Sequence, residues 1–135
     1  MTTTADPVTL FLEAVARGSG IPADIYAPGA VLDATVPNWR LEAHGPSAIS
    51  RQLSGSYAHP GRLHDVVRSP LSGGAMVRFT VAWTEEGIPM AAHQIHVFEV
   101  GHGAITHQDI WCGGRWDAAL QAEIESGLQS AREAS

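Results

Sequence analysis

Two clusters of side chains able to move or hold a proton lie close together near the end of the chain. His93, Gln94 and His96 fall within Ala91 to Val100, and His107, Gln108 and Asp109 within Ala104 to Trp111. An imidazole titrates near neutrality, a carboxylate can orient it, and an amide N–H can donate to a developing oxyanion. On that chemistry His96 is a candidate general acid or base, oriented by Asp109 or Asp33 and assisted by Gln94. The other reading of the same residues is structural. His96 would then be a partly buried histidine satisfied by the backbone or a water, His93 and His107 likewise, and Asp33 a turn-flanking or salt-bridged carboxylate.

Seven histidines invite a metal reading. No His-x-x-x-His pair, Cys-x-x-Cys or facial-triad spacing is present, however, and His93, His96, His102 and His107 share no one face, so no metal is expected. Cys112 is the single cysteine. It has no partner for an intramolecular bridge, and no histidine is spaced to activate it, so it reads as a small buried residue. Gly113-Gly114 is a strand exit rather than a phosphate loop, because no Lys-bearing motif follows. A net charge of −6 with eight scattered Lys and Arg residues argues against a nucleic-acid partner. No stretch is long and apolar enough for a membrane span, the start lacks the pattern of a signal peptide, and a cytoplasmic location is the default expectation.

These side chains need elements to hold them. At 135 residues, 44% hydrophobic and 16% charged, the chain predicts one globular domain spanning 1–135 with its own core. Asp6-Pro7 is a helix start, and Val8, Phe11, Leu12 and Val15 make one apolar stripe that Gly18 ends. A short helix is predicted over Pro22 to Ala27, a strand over Ala30 to Val36 with a hairpin partner over Arg40 to Ala43, and a third helix over Ser47 to Tyr57 through Ile49, Leu53 and Tyr57. From Arg62 the period falls to two, giving strands at Leu63 to Ser69, Ala75 to Thr84, Ile88 to Val100 and Ala104 to Trp111, separated by Gly-rich turns, as an antiparallel meander. In the second of these, Val77, Phe79, Val81 and Trp83 share a buried face and Met76, Arg78, Thr80 and Ala82 a mixed one. A final helix is expected from Trp116 to about Gln129. Alternation sets Gln94, His96 and Phe98 against His93, Ile95 and Val97; on the last strand, whether Gln108 and Ile110 or His107, Asp109 and Trp111 face inward stays open.

Three segments, in order, carry a family resemblance. They are Tyr26-Ala27-Pro28-Gly29-Ala30-Val31-Leu32, Gly45-Pro46-Ser47-Ala48-Ile49, and His96-Val97-Phe98-Glu99-Val100 followed by Gly103-Ala104-Ile105 and Trp111. Over about residues 6–116 the chain resembles the SnoaL-like and ketosteroid-isomerase-like group of the nuclear transport factor 2-like superfamily. The resemblance implies an α+β cystatin-like cone, a curved antiparallel sheet wrapped around N-terminal helices with a central pocket. It also implies that Gln94, His96 and Phe98 face that pocket, and that the protein is a homodimer. In ketosteroid isomerases it implies a strand-borne aspartate base, a helix-one tyrosine and a protonated late-strand aspartate. Here helix one has no tyrosine, alignment from Tyr26 and Ala30 puts Ala34 rather than Asp33 at the base position, and Gln94 or a near neighbour replaces the late acid. Ketosteroid isomerase activity itself is therefore not expected.

Fold alone does not choose a function. One expectation is a cofactor-independent isomerase, cyclase or dehydratase that transfers a proton on a small hydrophobic ring compound through His96, Asp109 and Asp33. The substrate contacts would be Gln94, Tyr26, Trp39, Trp83, Phe98, Gln108 and Ile110. The others are a non-catalytic ligand-binding domain and an association domain that dimerises through the outer sheet face at Met76, Arg78, Thr80 and Ala82.

Overall fold

The computed structural model describes residues 6–134. Helix α1, Pro7–Arg17, starts where Asp6 accepts from the Thr9 backbone N–H at 3.0 Å, and buries Val8, Phe11, Ala14 and Val15. It stops at Gly18, whose φ of 66° and closeness to the His59 backbone, 2.0 Å from where a Cβ would sit, leave room for no other residue. The predicted short helix is a single 3-10 turn, Ala23–Ile25. Helix α2, Pro46–Ser56, points Ile49 and Leu53 inward and is tied to the segment before that turn: the Ile21 backbone N–H donates to the Ser54 hydroxyl at 2.9 Å, and the Ser50 hydroxyl donates to the Ile21 carbonyl.

Among the described residues seven strands form one sheet. They are β1 Tyr26–Val36, β2 Trp39–His44, β3 Gly61–Leu71, β4 Gly74–Glu85, β5 Ile88–Gly101, β6 Ala104–Cys112 and the two-residue β7 Trp116–Asp117. The order is β2-β1-β6-β5-β4-β3, with β7 on β5. β3 to β6 run as the expected antiparallel meander. The join the periodicity does not reveal is β1 against β6, which is parallel and sets Ala34 beside Ile110.

β1 begins four residues earlier than predicted, at Tyr26 rather than Ala30, because it pairs with Ile105, bulges across Ala27 to Ala30 and resumes at Val31. Pro28 sits in that bulge, where its missing N–H breaks no ladder bond. At the other end Trp116 is strand rather than helix, pairing with Ala91, and Asp117 caps helix α3, Ala118–Glu133, by accepting from the Leu120 N–H at 2.9 Å. The sheet curves over α1 and α2, and the core lies between them: Phe11, Leu32, Ile49, Val77, Phe79, Phe98 and Ile105 are all sealed from solvent. This is the α+β cone that the resemblance implies. No helix among the described residues is long and apolar enough to cross a membrane.

Candidate functional site

Between the concave face of the sheet and the two long N-terminal helices lies a cavity of about 370 Å³. Leu32, Ala34, Val81, Ala92 and Ile110 supply its wall from the sheet, and Val15 and Leu53 from the helices. The parity of each strand fixes this lining. Leu32 and Ala34 face inward on β1, so their parallel neighbours Gln108 and Ile110 do the same on β6, which answers the question the last strand left open.

The inner end of the cavity is polar. Tyr57, the residue on which α2 ends, is buried and donates its hydroxyl to Gln94 Oε1 at 2.5 Å. Gln94 Nε2 is directed at Cys112 Sγ, 3.5 Å away, and all three residues line the cavity. His96 lies one layer behind them, fully buried, stacked on Phe79 and Phe98 at ring separations of 5.1 and 5.8 Å. Gln108 donates from Nε2 to His96 Nδ1 at 3.0 Å, because the Tyr26 hydroxyl occupies Gln108 Oε1 at 2.6 Å. Nδ1 is therefore an acceptor, and the ring proton sits on Nε2, donated to Gln94 Oε1 at 2.9 Å. Burial among three phenylalanines disfavours the cation and pulls the His96 pKa from 6.5 down to about 3. Burial also pushes the phenols of Tyr26 and Tyr57 far above their ordinary range. The whole relay is thus neutral at physiological pH and its side-chain polar atoms are matched.

The carboxylates expected beside His96 are elsewhere. Asp33 and Asp109 are register partners on β1 and β6, but on the outer face. Asp33 pairs bidentately with Arg40, which holds its carboxyl below the usual range, and Asp109 accepts from His107 Nε2 at 3.0 Å. The reason is the two-residue period: once Leu32, Ala34 and Gln108 point in, Asp33 and Asp109 point out. His93 is on that outer side as well, bonded to the Thr80 hydroxyl at 2.9 Å.

Of the expected substrate contacts, Gln94, Trp83 and Ile110 line the cavity, whereas Tyr26, Phe98 and Gln108 support it from the core. Trp39 does neither. It shares the inward parity of Leu41 but sits at the tip of the β1–β2 hairpin, beyond the rim, and is 71% exposed.

Among the lining residues that sequence reasoning did not single out are Tyr57 at the inner end of the cavity, and His59, Glu85 and Arg115 at its exposed end. Tyr57 closes the apolar stripe of α2, and a tyrosine there carries a polar tip into the core; that was the available signal. The other three come from separate places in the chain, His59 before β3, Glu85 at the end of β4 and Arg115 after β6, and carried none. Glu85 Oε1 accepts from Arg115 Nη2 and lies 3.3 Å from His59 Nε2. Partial desolvation would raise the Glu85 pKa, but donation from Trp83 Nε1 and the Arg115 charge outweigh it and the net direction is down. Among the described residues, no three His, Cys, Asp or Glu side chains converge as a metal site.

No protein-family model matches the sequence, and no curated protein matches it. Solved structures do match its fold. A hypothetical protein of ketosteroid isomerase-like fold from Catenulispora acidiphila, in complex with trimethylamine, aligns with a TM-score of 0.64 at 13% identity over 82% of this chain and 88% of that one. A protein provisionally assigned as a polyketide cyclase from Sinorhizobium meliloti aligns at 0.57 and 21% identity, covering 79% and 94%. A nuclear transport factor 2-like protein of unknown function from Burkholderia xenovorans aligns at 0.56 and 16% identity, covering 83% and 84%. The fold is therefore the cone shared by ketosteroid-isomerase-like and polyketide-cyclase-like structures, as the three sequence segments implied.

Proposed function

We propose that the protein binds a small, largely apolar ring compound in this cavity, with a hydrogen-bond acceptor of the ligand meeting the Gln94 amide. The observation that carries the reading is an apolar-walled cavity ending on an amide whose orientation is held from behind. His96 Nε2 and the Tyr57 hydroxyl both donate to Gln94 Oε1, so its NH2 group is turned the other way. One amide hydrogen is directed at Cys112 Sγ and the second is available to a ligand. His96 then acts as a positioning residue rather than as an acid or base. That one solved structure of this fold is a complex with trimethylamine supports small-molecule binding by a protein of this fold.

Titration calorimetry with a set of monocyclic and bicyclic ketones and their parent hydrocarbons tests this. Saturable ketone binding is expected, weakened about ten-fold by Gln94→Leu, the worth of one neutral hydrogen bond, with hydrocarbon binding retained. Ala34→Phe, which fills the cavity, should abolish both. Ketone binding that survives Ala34→Phe unchanged sinks the proposal.

A second reading, a cofactor-independent isomerase, cyclase or dehydratase, has one observation in its favour: His59 and Glu85 line the same cavity as Gln94. An imidazole able to accept a proton would then stand at one end and an oxyanion donor at the other. Exchange of the α-deuterons of a bound ring ketone, lost in His59→Ala, is the expected sign; no exchange above the buffer rate counts against it.

Homodimerisation through the outer face has its own support. Trp111 is 48% exposed there, beside half-buried Ile95 and Val97. Sedimentation should give a dimer that Trp111→Glu splits; a monomeric parent protein ends that reading.

A further inference from the structure

The exposed end of the cavity names a charge class for the ligand. Trp83 and Glu85 close β4, and both are locked in register with β5, Trp83 opposite Met90 and Glu85 opposite Ile88. The Trp83 indole N–H approaches Glu85 Oε1 at 3.4 Å, so the aromatic ring and the carboxylate are held as one unit at the cavity rim. Arg115 sits on that unit. Its guanidinium lies 5.6 Å from the centroid of the Trp83 ring while it donates to Glu85 Oε1.

The two sides of this contact differ in how firmly they are held. Trp83 and Glu85 belong to a paired strand, whereas Arg115 follows Gly113-Gly114, with Gly114 at φ 119°, and its side chain is 59% exposed. The fixed host is therefore a carboxylate beside an aromatic face, and the guest is the movable guanidinium. The His59 imidazole approaches the same Oε1, and no hydrogen bond among the described residues engages Oε2. An aromatic face with an adjacent carboxylate at the rim of an apolar cavity is complementary to a hydrophobic ammonium ion. An anionic ligand would instead face the fixed Glu85.

We propose that the cavity takes a protonated amine on an apolar ring, with the ring inside and the ammonium on Trp83 and Glu85, where it displaces the Arg115 guanidinium to solvent. This rests on the cavity-binding reading of the preceding subsection. No bond is made or broken; Arg115 is the internal competitor for the site.

Three near-isosteric probes separate the possibilities at neutral pH: benzylammonium, benzyl alcohol and benzoate, each titrated calorimetrically into the full chain. Benzylammonium should bind about ten-fold tighter than benzyl alcohol, in the range of a partly desolvated cation–π contact with an adjacent carboxylate. Arg115→Ala should widen that preference several-fold. Glu85→Gln should abolish it while leaving benzyl alcohol bound, which also shows that the variant is folded, and Trp83→Leu should reduce it in the same way. Equal binding of benzylammonium and benzyl alcohol, or a preference for benzoate that Arg115→Ala destroys, overturns the proposal and leaves cavity binding standing, because benzyl alcohol reports the cavity alone. If none of the three probes binds, both readings fall.

Discussion

The two faces of the sheet carry similar residue types in alternating positions and treat them in opposite ways. Inside, His96 and Gln108 are sealed, Gln94 is buried at the end of the cavity, and the three form a neutral chain ending on two tyrosine hydroxyls. Outside, Asp33, Arg40, His107 and Asp109 make partly exposed pairs that water reaches. The contrast follows from the cost of burying charge: an amide or a neutral imidazole can enter the core if its bonds are matched, whereas a lone carboxylate cannot. A histidine and an aspartate near one another in sequence therefore become a pair only when the strand period allows it. Here the period separates them.

The contrast can be broken most severely at its centre. His96→Ala should cost about 3 kcal/mol or more in urea unfolding, because it leaves a void among phenylalanine rings and takes away the acceptor of the buried Gln108 amide. A loss under about 1 kcal/mol would mean the inner relay is not the structural unit described.

Acid should sharpen it next. The folded state holds the His96 pKa at about 3 against an ordinary 6.5, so between those values the unfolded chain takes up a proton that the folded one refuses. Stability should be greatest above pH 6.5 and fall as the pH drops toward 3, by up to about 1.4 kcal/mol per unit. The carboxyls of Asp6, held down to about 2, and of Asp33 and Glu85, also held low, contribute only near and below their ordinary 3.8 and 4.5. The interval from about pH 5.5 to 6.5 therefore reports chiefly on His96. His96→Gln, which keeps a donor and an acceptor but cannot titrate, should flatten that interval. A slope unchanged in the variant would assign the effect elsewhere.

The smallest effect belongs outside. Asp109→Asn should change stability by no more than about 1 kcal/mol and leave cavity binding untouched, as for a pair that water still reaches. A large loss of ligand affinity in this variant would return Asp109 to the site and undo the contrast.

Much of the fold was legible because turn chemistry and periodicity are local. Glu85-Glu86-Gly87 and Gly101-His102-Gly103 mark the ends of β4 and β5, and Glu86, Gly87, His102 and Gly103 all take the positive φ that such turns require. What local pattern could not supply was the neighbour of β1. Its pairing with β6 decides which face of the last strand looks inward, and hence that Gln108 joins His96 while Asp109 does not. The exposed end of the cavity was illegible for a similar reason: His59 precedes β3, Glu85 ends β4 and Arg115 follows β6, and the three meet only in the folded chain. Trp39 stands outside the cavity lining although its parity was right, since parity says nothing of how far a hairpin tip reaches past the rim.

The parallel join of β1 to β6 also has a consequence for how the protein is made. The strand that supplies Leu32 and Ala34 to the cavity emerges from the ribosome early, but its partner in β6 comes only with Ala104–Cys112. At synthesis rates of about 5–20 residues per second, β1 must wait several seconds for its neighbour. A nascent chain halted before residue 104 would offer the apolar flank of β1 to chaperones or to other nascent chains, and the cavity cannot be completed until nearly the whole sheet has been translated.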